Sequence, residues 1–175
     1  MRLVSYFIGM LYFYAIWLLN FNNLSFHALS RFESGIKIRL RNKGSIRLGK
    51  CSTRGRVTIL ADGGKVSIGD NVFMNSNSSI NCLCGVAIGS GTLLGNNVNI
   101  YDHDHKIING VVKHKAFDIA PVEIGSNCWL GTNVTVLKGV KIIDEVIIGA
   151  NSVVTKDLLV SGVYVMKEGT LKKIK

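Results

Sequence analysis

The sequence predicts an all-β chain wound as a parallel coil of triangular cross-section, preceded by an apolar helix. Three observations carry this. An aliphatic residue returns every sixth position at Ile124, Leu130, Val136, Ile142, Ile148 and Val154, a beat that matches neither the 3.6-residue helix period nor two-residue strand alternation. A fixed short period marks a repeated unit, and three six-residue sides close a turn of about eighteen residues whose coils stack by parallel pairing. Small residues often follow the aliphatic one, as in Ile124-Gly125, Leu130-Gly131 and Ile148-Gly149, where a missing Cβ relieves crowding at a corner. A sandwich of short strands has no reason to hold one six-residue phase from Ile124 to Val154.

In chain order, residues 1–30 read as an apolar helical segment, 31–160 as the coil and 161–175 as a basic tail. Residues 3–19 are apolar nearly all round, with no charge after Arg2, and must be buried in something. The stretch sits at the lower length limit for a spanning helix, and its tyrosines and Trp17 suit a headgroup region. No small-x-small cleavage site follows. Three readings are open: a helix docked on the coil or its oligomer partners, a membrane-surface or partly inserted helix, and a cleaved signal. The basic stretch Arg31, Lys37, Arg39, Arg41, Lys43, Arg47 and Lys50 either lies against anionic lipid, worth about 1 kcal/mol per residue, or is a solvated face.

Within the coil the phase is loose at first, with Ile46, Leu48, Val57 and Ile59 as candidates. It then locks at Ile68, Met74 and Ile80. A step of eight to Ile88 predicts a small bulge around residues 83–85, after which Leu94 and Ile100 keep the beat. The formal charge of +10 favours an anionic partner: nucleic acid, acidic lipid, a phosphorylated cofactor or an acidic polysaccharide. No aromatic platform or nucleic-acid module accompanies it, which argues against nucleic acid. Cys51, Cys82, Cys84 and Cys128 lack zinc-motif spacing; Cys128 falls at an inward position, and Cys82 and Cys84 lie too close to pair. A reduced, cytoplasmic setting is the simpler reading.

The rhythm stops after Ile100 and restarts at Ile124, leaving an extruded loop near 102–120 that opens with Tyr101-Asp102-His103-Asp104-His105. A solenoid does not need such an insertion, so it reads as functional. A histidine is suited to general-base work near neutral pH, and a neighbouring carboxylate can orient it. On spacing alone the cluster also fits a solvated loop or a chance metal site.

Three runs then point to a family. Asn99-Ile-Tyr-Asp-His-Asp-His105, Pro121-Val-Glu-Ile-Gly-Ser-Asn-Cys-Trp-Leu-Gly131 and Ile148-Gly-Ala-Asn-Ser-Val-Val-Thr-Lys156 resemble the sugar O-acetyltransferases, among them the galactoside and maltose acetyltransferases and enzymes that decorate bacterial surface polysaccharides. The resemblance covers residues 68–156. It implies a left-handed parallel β-helix of hexapeptide coils, assembly as a homotrimer, acetyl-CoA as acyl donor, a saccharide acceptor and no metal. Carried over residue by residue, it makes His103 the catalytic base. Asn75, His105, Asp102 and Trp129 become contacts on the acceptor side, and Trp129, Gly131, Thr132, Ala150, Thr155 and Lys156 contacts to coenzyme A.

The chain departs from the family at three places. Leu83 stands where the galactoside enzymes carry an acidic acceptor-binding residue. Their amino-terminal acceptor-binding region is replaced here by the apolar segment. Their Gly-x-Pro-x-Arg-like tail becomes Gly162-Val-Tyr-Val-Met-Lys167, with Lys167, Lys172 or Lys173 as substitutes for the arginine. The implied activity is acetyl transfer from acetyl-CoA to a sugar hydroxyl, in the cytoplasm or peripheral to the inner membrane. The alternative is a non-catalytic, membrane-associated scaffold in glycan assembly. A γ-class carbonic anhydrase shares the fold but needs a His-x4-His pair, whereas His103 and His105 are separated by one residue and His114 lies further on.

Overall fold

The computed structural model describes residues 2–175; Met1, the first residue of the apolar segment, lies outside the described residues. Helix α1 (Arg2–Leu19) leads into six triangular coils, each contributing one short strand to each of three parallel faces. The first two coils contain β1 (Leu24–Phe26), β2 (Arg31–Phe32) and β3 (Lys37–Arg41), then β4 (Ser45–Leu48), β5 (Ser52–Thr53) and β6 (Thr58–Asp62). The next two contain β7 (Lys65–Ile68), β8 (Phe73–Met74) and β9 (Ser79–Cys82), then β10 (Gly85–Ile88), β11 (Leu93–Leu94) and β12 (Asn99–Tyr101). An antiparallel hairpin follows, β13 (His103–Ile108) and β14 (Val111–Ile119). The last two coils are β15 (Val122–Ile124), β16 (Trp129–Leu130) and β17 (Thr135–Val136), then β18 (Lys141–Ile142), β19 (Val146–Ile148) and β20 (Val153–Val154). The chain closes with β21 (Gly162–Lys167), parallel to β19, and β22 (Thr170–Lys173), antiparallel to β21.

The six-residue beat is the inward side of this prism. Ile68, Ile88, Ile124 and Ile142 stack on the first face; Met74, Leu94, Leu130 and Ile148 on the second; Ile80, Ile100, Val136 and Val154 on the third. Each is at most 3% exposed, and full burial of such a side chain stabilises by about 1.5–3 kcal/mol. The predicted eighteen-residue turn holds for the last two coils, where Ile124 pairs with Ile142. The earlier coils are wider: Leu24 pairs with Ile46, a period of twenty-two, then Ile46 with Val66 and Val66 with Val86, a period of twenty. The added residues sit between the third and first faces, and the bulge expected at 83–85 is one instance of that wider corner.

Two devices make the corners. On the edge between the second and third faces asparagine supplies the left-handed backbone: Asn77, Asn97, Asn133 and Asn151 have φ between 56° and 61°. Their amides link coil to coil, Asn97 Nδ2 donating to Asn133 Oδ1 at 2.9 Å and Asn133 Nδ2 to Asn151 Oδ1 at 2.8 Å. The glycines after the aliphatic residues serve close stacking instead. A Cβ on Gly131 would lie 2.8 Å from the Ala150 nitrogen, so the layers could not approach to strand spacing.

Both ends of the coil are covered. Helix α1 lies across the first coil, with Phe13 fully buried and its ring stacked on Phe32 at 4.2 Å between centroids. A Cβ on Gly9 would lie 2.1 Å from the Phe32 carbonyl oxygen, so this position must be glycine for the helix to seat. Ser5 Oγ and Ser34 Oγ are 2.8 Å apart, tying the two together. At the other end the β21–β22 hairpin adds to the second face and buries Tyr164, whose hydroxyl donates to the Val160 carbonyl at 2.6 Å.

Candidate active site

The wide corner between the third and first faces turns its backbone N–H groups toward one carboxylate. Asp102, at the end of the third face, has no exposed surface. Its Oδ1 accepts from Leu83 N–H at 2.9 Å, and its Oδ2 accepts from Cys84 N–H at 2.7 Å and Gly85 N–H at 2.8 Å. The Cys82 thiol also adjoins the carboxylate, and His103 Nδ1 lies 2.9 Å from Oδ1. Burial pushes the Asp102 pKa up, but the Leu83 N–H, the His103 imidazole and the Cys84 N–H outweigh it and hold the carboxyl below its ordinary value. An ionised carboxylate only accepts, so Nδ1 carries the hydrogen and the lone pair of the neutral ring is on Nε2. Among the described residues, Nε2 has no hydrogen-bond partner. The ring is 17% exposed and stands edge-on to Phe117 at 5.4 Å, with Tyr101 at 6.3 Å.

The predicted loop is an ordered hairpin rooted at this pair. Asp102 C=O accepts from Ala120 N–H at 2.9 Å, so the chain leaves and re-enters the coil at one point. The tip is Asn109-Gly110, both at positive φ, flanked by Ile107-Ile108 and Val111-Val112; this dipeptide between apolar residues is a strong short hairpin signal. Asp104 Oδ2 lies 3.1 Å from Lys138 Nζ on the coil below. His105 lies on the hairpin itself, its Nδ1 donating to the Lys113 carbonyl at 3.1 Å and its ring tilted on Phe117 at 4.7 Å. Of the two Asp-His pairs, only the first is built into the coil.

The other predicted site residues fall on two different edges. Val154 pairs with Val136, so Thr155 and Lys156 lie directly below Leu137 and Lys138 on the edge that carries His103. Asn75, Gly131, Thr132 and Ala150 line the edge between the second and third faces, and Trp129 projects from the second face beside it. The residues from Gly95 to Asp102 separate these edges, roughly 20 Å at strand rise. One chain therefore brings together His103, Asp102 and His105 but not Asn75 or Trp129. Asn75 also stands apart from the corner asparagines: it is not in the left-handed region, and its Oδ1 accepts the Ser76 N–H at 2.9 Å. Beside it on the second face runs an outward apolar column, Phe73, Leu93, Trp129 and Ile147, with Trp129 52% exposed.

Lys156 and Thr155 form one wall of a groove of about 740 Å³ whose other wall is the carboxy-terminal hairpin, through Tyr164, Met166 and Leu171. Of the tail lysines, Lys172 is held 2.6 Å from Glu168. The Asp102 cradle at residues 83–85 had a trace in the sequence, the eight-residue step, but not its purpose.

Two hexapeptide families match the chain: residues 65–102 fit the hexapeptide repeat of succinyl-transferase, and residues 121–156 the bacterial transferase hexapeptide of six repeats. A putative lipopolysaccharide biosynthesis O-acetyl transferase of Escherichia coli (strain K12) is 37% identical over 131 residues, covering 66% of this chain and 64% of that protein. The crystal structure of a maltose O-acetyltransferase from Clostridium difficile 630 superposes with a TM-score of 0.64 at 32% identity, covering 71% of this chain and 65% of the other. A hexapeptide-repeat acetyltransferase of Vibrio cholerae O1 biovar eltor, solved with acetyl coenzyme A, shares the fold at a TM-score of 0.62 and 20% identity, over 81% of this chain and 70% of that one. The chain thus spans just under two thirds of the lengths of the first two.

Proposed function

From the premise that this chain is built of bacterial-transferase hexapeptide repeats, we propose that it is an O-acetyltransferase that moves the acetyl group of acetyl-CoA to a sugar hydroxyl. The acceptor belongs to a bacterial surface polysaccharide or its lipid-linked precursor, and the enzyme works on the cytoplasmic side in peripheral contact with the inner membrane. The observation that carries this reading is the buried Asp102 carboxylate fixing His103 Nδ1 at the root of the hairpin.

Acetyl-CoA supplies an activated thioester. His103 Nε2 takes the proton of the sugar hydroxyl as that oxygen bonds to the thioester carbonyl carbon. The carbon–sulfur bond then breaks, and the imidazolium returns the proton to the departing sulfur. General-base assistance of this kind is worth about 10²–10⁴-fold. Asp102 acts as a positioning residue that holds the tautomer and stabilises the imidazolium, since its burial removes it from the substrate contact that the resemblance implies. His105, on the same hairpin, is assigned to the acceptor. Thr155 and Lys156 are assigned to coenzyme A, the lysine to a phosphate.

The separation of the two edges supports a homotrimer. In three parallel chains related by a threefold axis, the His103 edge of one faces the Asn75, Trp129, Gly131, Thr132 and Ala150 edge of the next, and the apolar column beside Trp129 is covered. Each site then draws on two chains. Mixing subunits tests this. His103→Ala and the double variant Asn75→Ala/Trp129→Ala are each expected to be nearly inactive in thiol release from acetyl-CoA with extracted surface polysaccharide. Trimers refolded from an equal mixture should regain about a quarter of wild-type sites, because random assembly leaves that share with both halves intact. No recovery would place the site within one chain. Near-normal turnover by His103→Ala would remove the histidine from its role.

A further inference from the structure

The amino-terminal end of the molecule combines an uncovered apolar surface with most of the net charge. Helix α1 uses one stripe, with Gly9 and Phe13 at its centre, to dock on the first coil. Its opposite face exposes Leu3, Phe7, Leu11 and Leu18 at 85%, 65%, 55% and 65%, with no charged residue from Leu3 to Leu19. Ten of the 21 Lys and Arg residues but only two of the 11 Asp and Glu fall in residues 1–62, the helix and first two coils, so this stretch carries eight of the ten net positive charges. Of the two acids, Glu33 is buried and accepts the Gly55 N–H at 2.9 Å, and Asp62 accepts from the Asn42 side chain.

From Arg31 to Arg56 the basic side chains are exposed, and none pairs with a carboxylate among the described residues, whereas Lys106, Lys138, Lys141 and Lys172 further along are all paired. They emerge from all three faces: Arg31 on the second, Lys37, Arg39 and Arg41 on the third, Arg47 on the first. The result is a cationic collar directly beneath the helix. Where helix and collar meet, a groove of about 530 Å³ is lined by Ile8 and Tyr12 on one side and Lys37 and Arg39 on the other.

We infer that this end of the coil is a docking surface for an anionic phospholipid bilayer, with α1 lying in the interface plane and the basic collar against the headgroups. An apolar helix face buries against acyl chains, and nearby cations add electrostatic attraction that salt screens. No helix among the described residues is long and apolar enough to cross a membrane, and α1 has one side committed to Phe32 and Phe26, so it lies flat. Side-by-side parallel chains would bring three such faces to the same end, where they bind together. The inference deepens the peripheral membrane contact proposed above and rests on it; only the threefold arrangement depends on the split active site.

The test is co-sedimentation of the full chain with phosphatidylcholine vesicles and with vesicles containing a quarter phosphatidylglycerol. Binding should require the anionic lipid and weaken as salt is raised. Arg39→Gln/Lys43→Gln should lower partitioning at low salt by about fivefold per charge removed. Phe7→Glu/Leu11→Glu, on the exposed face, should abolish binding while melting and acetyl transfer to a soluble acceptor are retained. Absence of wild-type binding to anionic vesicles overturns the inference. So does a smaller assembly for Phe7→Glu/Leu11→Glu in sedimentation velocity, which would make the face a contact between copies. Either result leaves the acetyl-transfer reading standing, and loss of transfer with intact vesicle binding would do the reverse.

Discussion

Replacing Asp102 by Asn isolates the geometry on which the chemistry depends. The carboxylate receives three backbone N–H groups and the His103 ring, all in a site with no exposed surface. An Asn side chain has the same shape but offers one acceptor oxygen and a donating NH₂ group. Whichever way the amide turns, that NH₂ faces either the N–H groups of Cys84 and Gly85 or the imidazole. In the first orientation at least one buried donor is orphaned, at a cost of about 1–3 kcal/mol, which lowers the melting midpoint by about 2–4 °C per kcal/mol in a chain of this size. In the second, favoured because the remaining oxygen keeps the Cys84 and Gly85 N–H groups and lies within reach of Leu83 N–H at 3.1 Å, Nδ1 must accept, the hydrogen moves to Nε2, and the lone pair needed for proton removal is lost.

Turnover should then fall by about 10²–10⁴-fold with little change in coenzyme A affinity. Nitrogen NMR of His103 should report protonated Nδ1 in the wild type and protonated Nε2 in the variant, a change that a purely structural defect would not produce. Stability against acid adds a second check. The folded Asp102 pKa lies below its unfolded value, so its ionised form stabilises the fold fully above the unfolded value, about pH 3.9, and that contribution fades as pH falls toward the folded value. Asp102→Asn should flatten this acid limb. A folded Asp102→Asn enzyme with near-normal turnover and an unchanged tautomer would refute the reasoning.

Two further outcomes follow from named contacts. Thr53 takes the inward register of Met74, and among the described residues its buried Oγ1 has no hydrogen-bond partner. Thr53→Val should therefore stabilise the fold by about 1–2 kcal/mol in denaturant melts, and a loss would mean the hydroxyl has an internal partner. Lys156→Ala should weaken coenzyme A binding about tenfold in titration calorimetry, near 1.4 kcal/mol, with turnover at saturation nearly intact; unchanged affinity with reduced turnover would contradict the phosphate assignment.

Much of the fold was legible because a solenoid writes its geometry as a period. From Ile68 to Val154 every position on the six-residue beat is aliphatic or Met, so the phase could be followed. It became unreadable upstream for local reasons. Thr53 replaces an aliphatic residue, the step from Leu48 to Thr53 is five instead of six, and the first coil keeps the beat with Phe26, Phe32 and Ile38, two of them aromatic. The hairpin is signalled by Asn109-Gly110 between apolar residues, but a break in the six-residue rhythm marks only where the coil stops, not what fills the gap.

Spacing along one chain is enough to show which residues of the six-residue beat point inward, where the coil is interrupted and which histidine stands at that interruption. What those residues meet is set by the stacking of the coils. The contact of Asp102 with the N–H groups of residues 83–85 joins consecutive coils, the four-residue run Asp102-His103-Asp104-His105 divides into a buried pair and an exposed one, and Asn75 and Trp129 stand one face away from His103. Such facts depend on how coils stack and turn, and a one-dimensional beat carries the period of that stacking but not which edge each corner occupies.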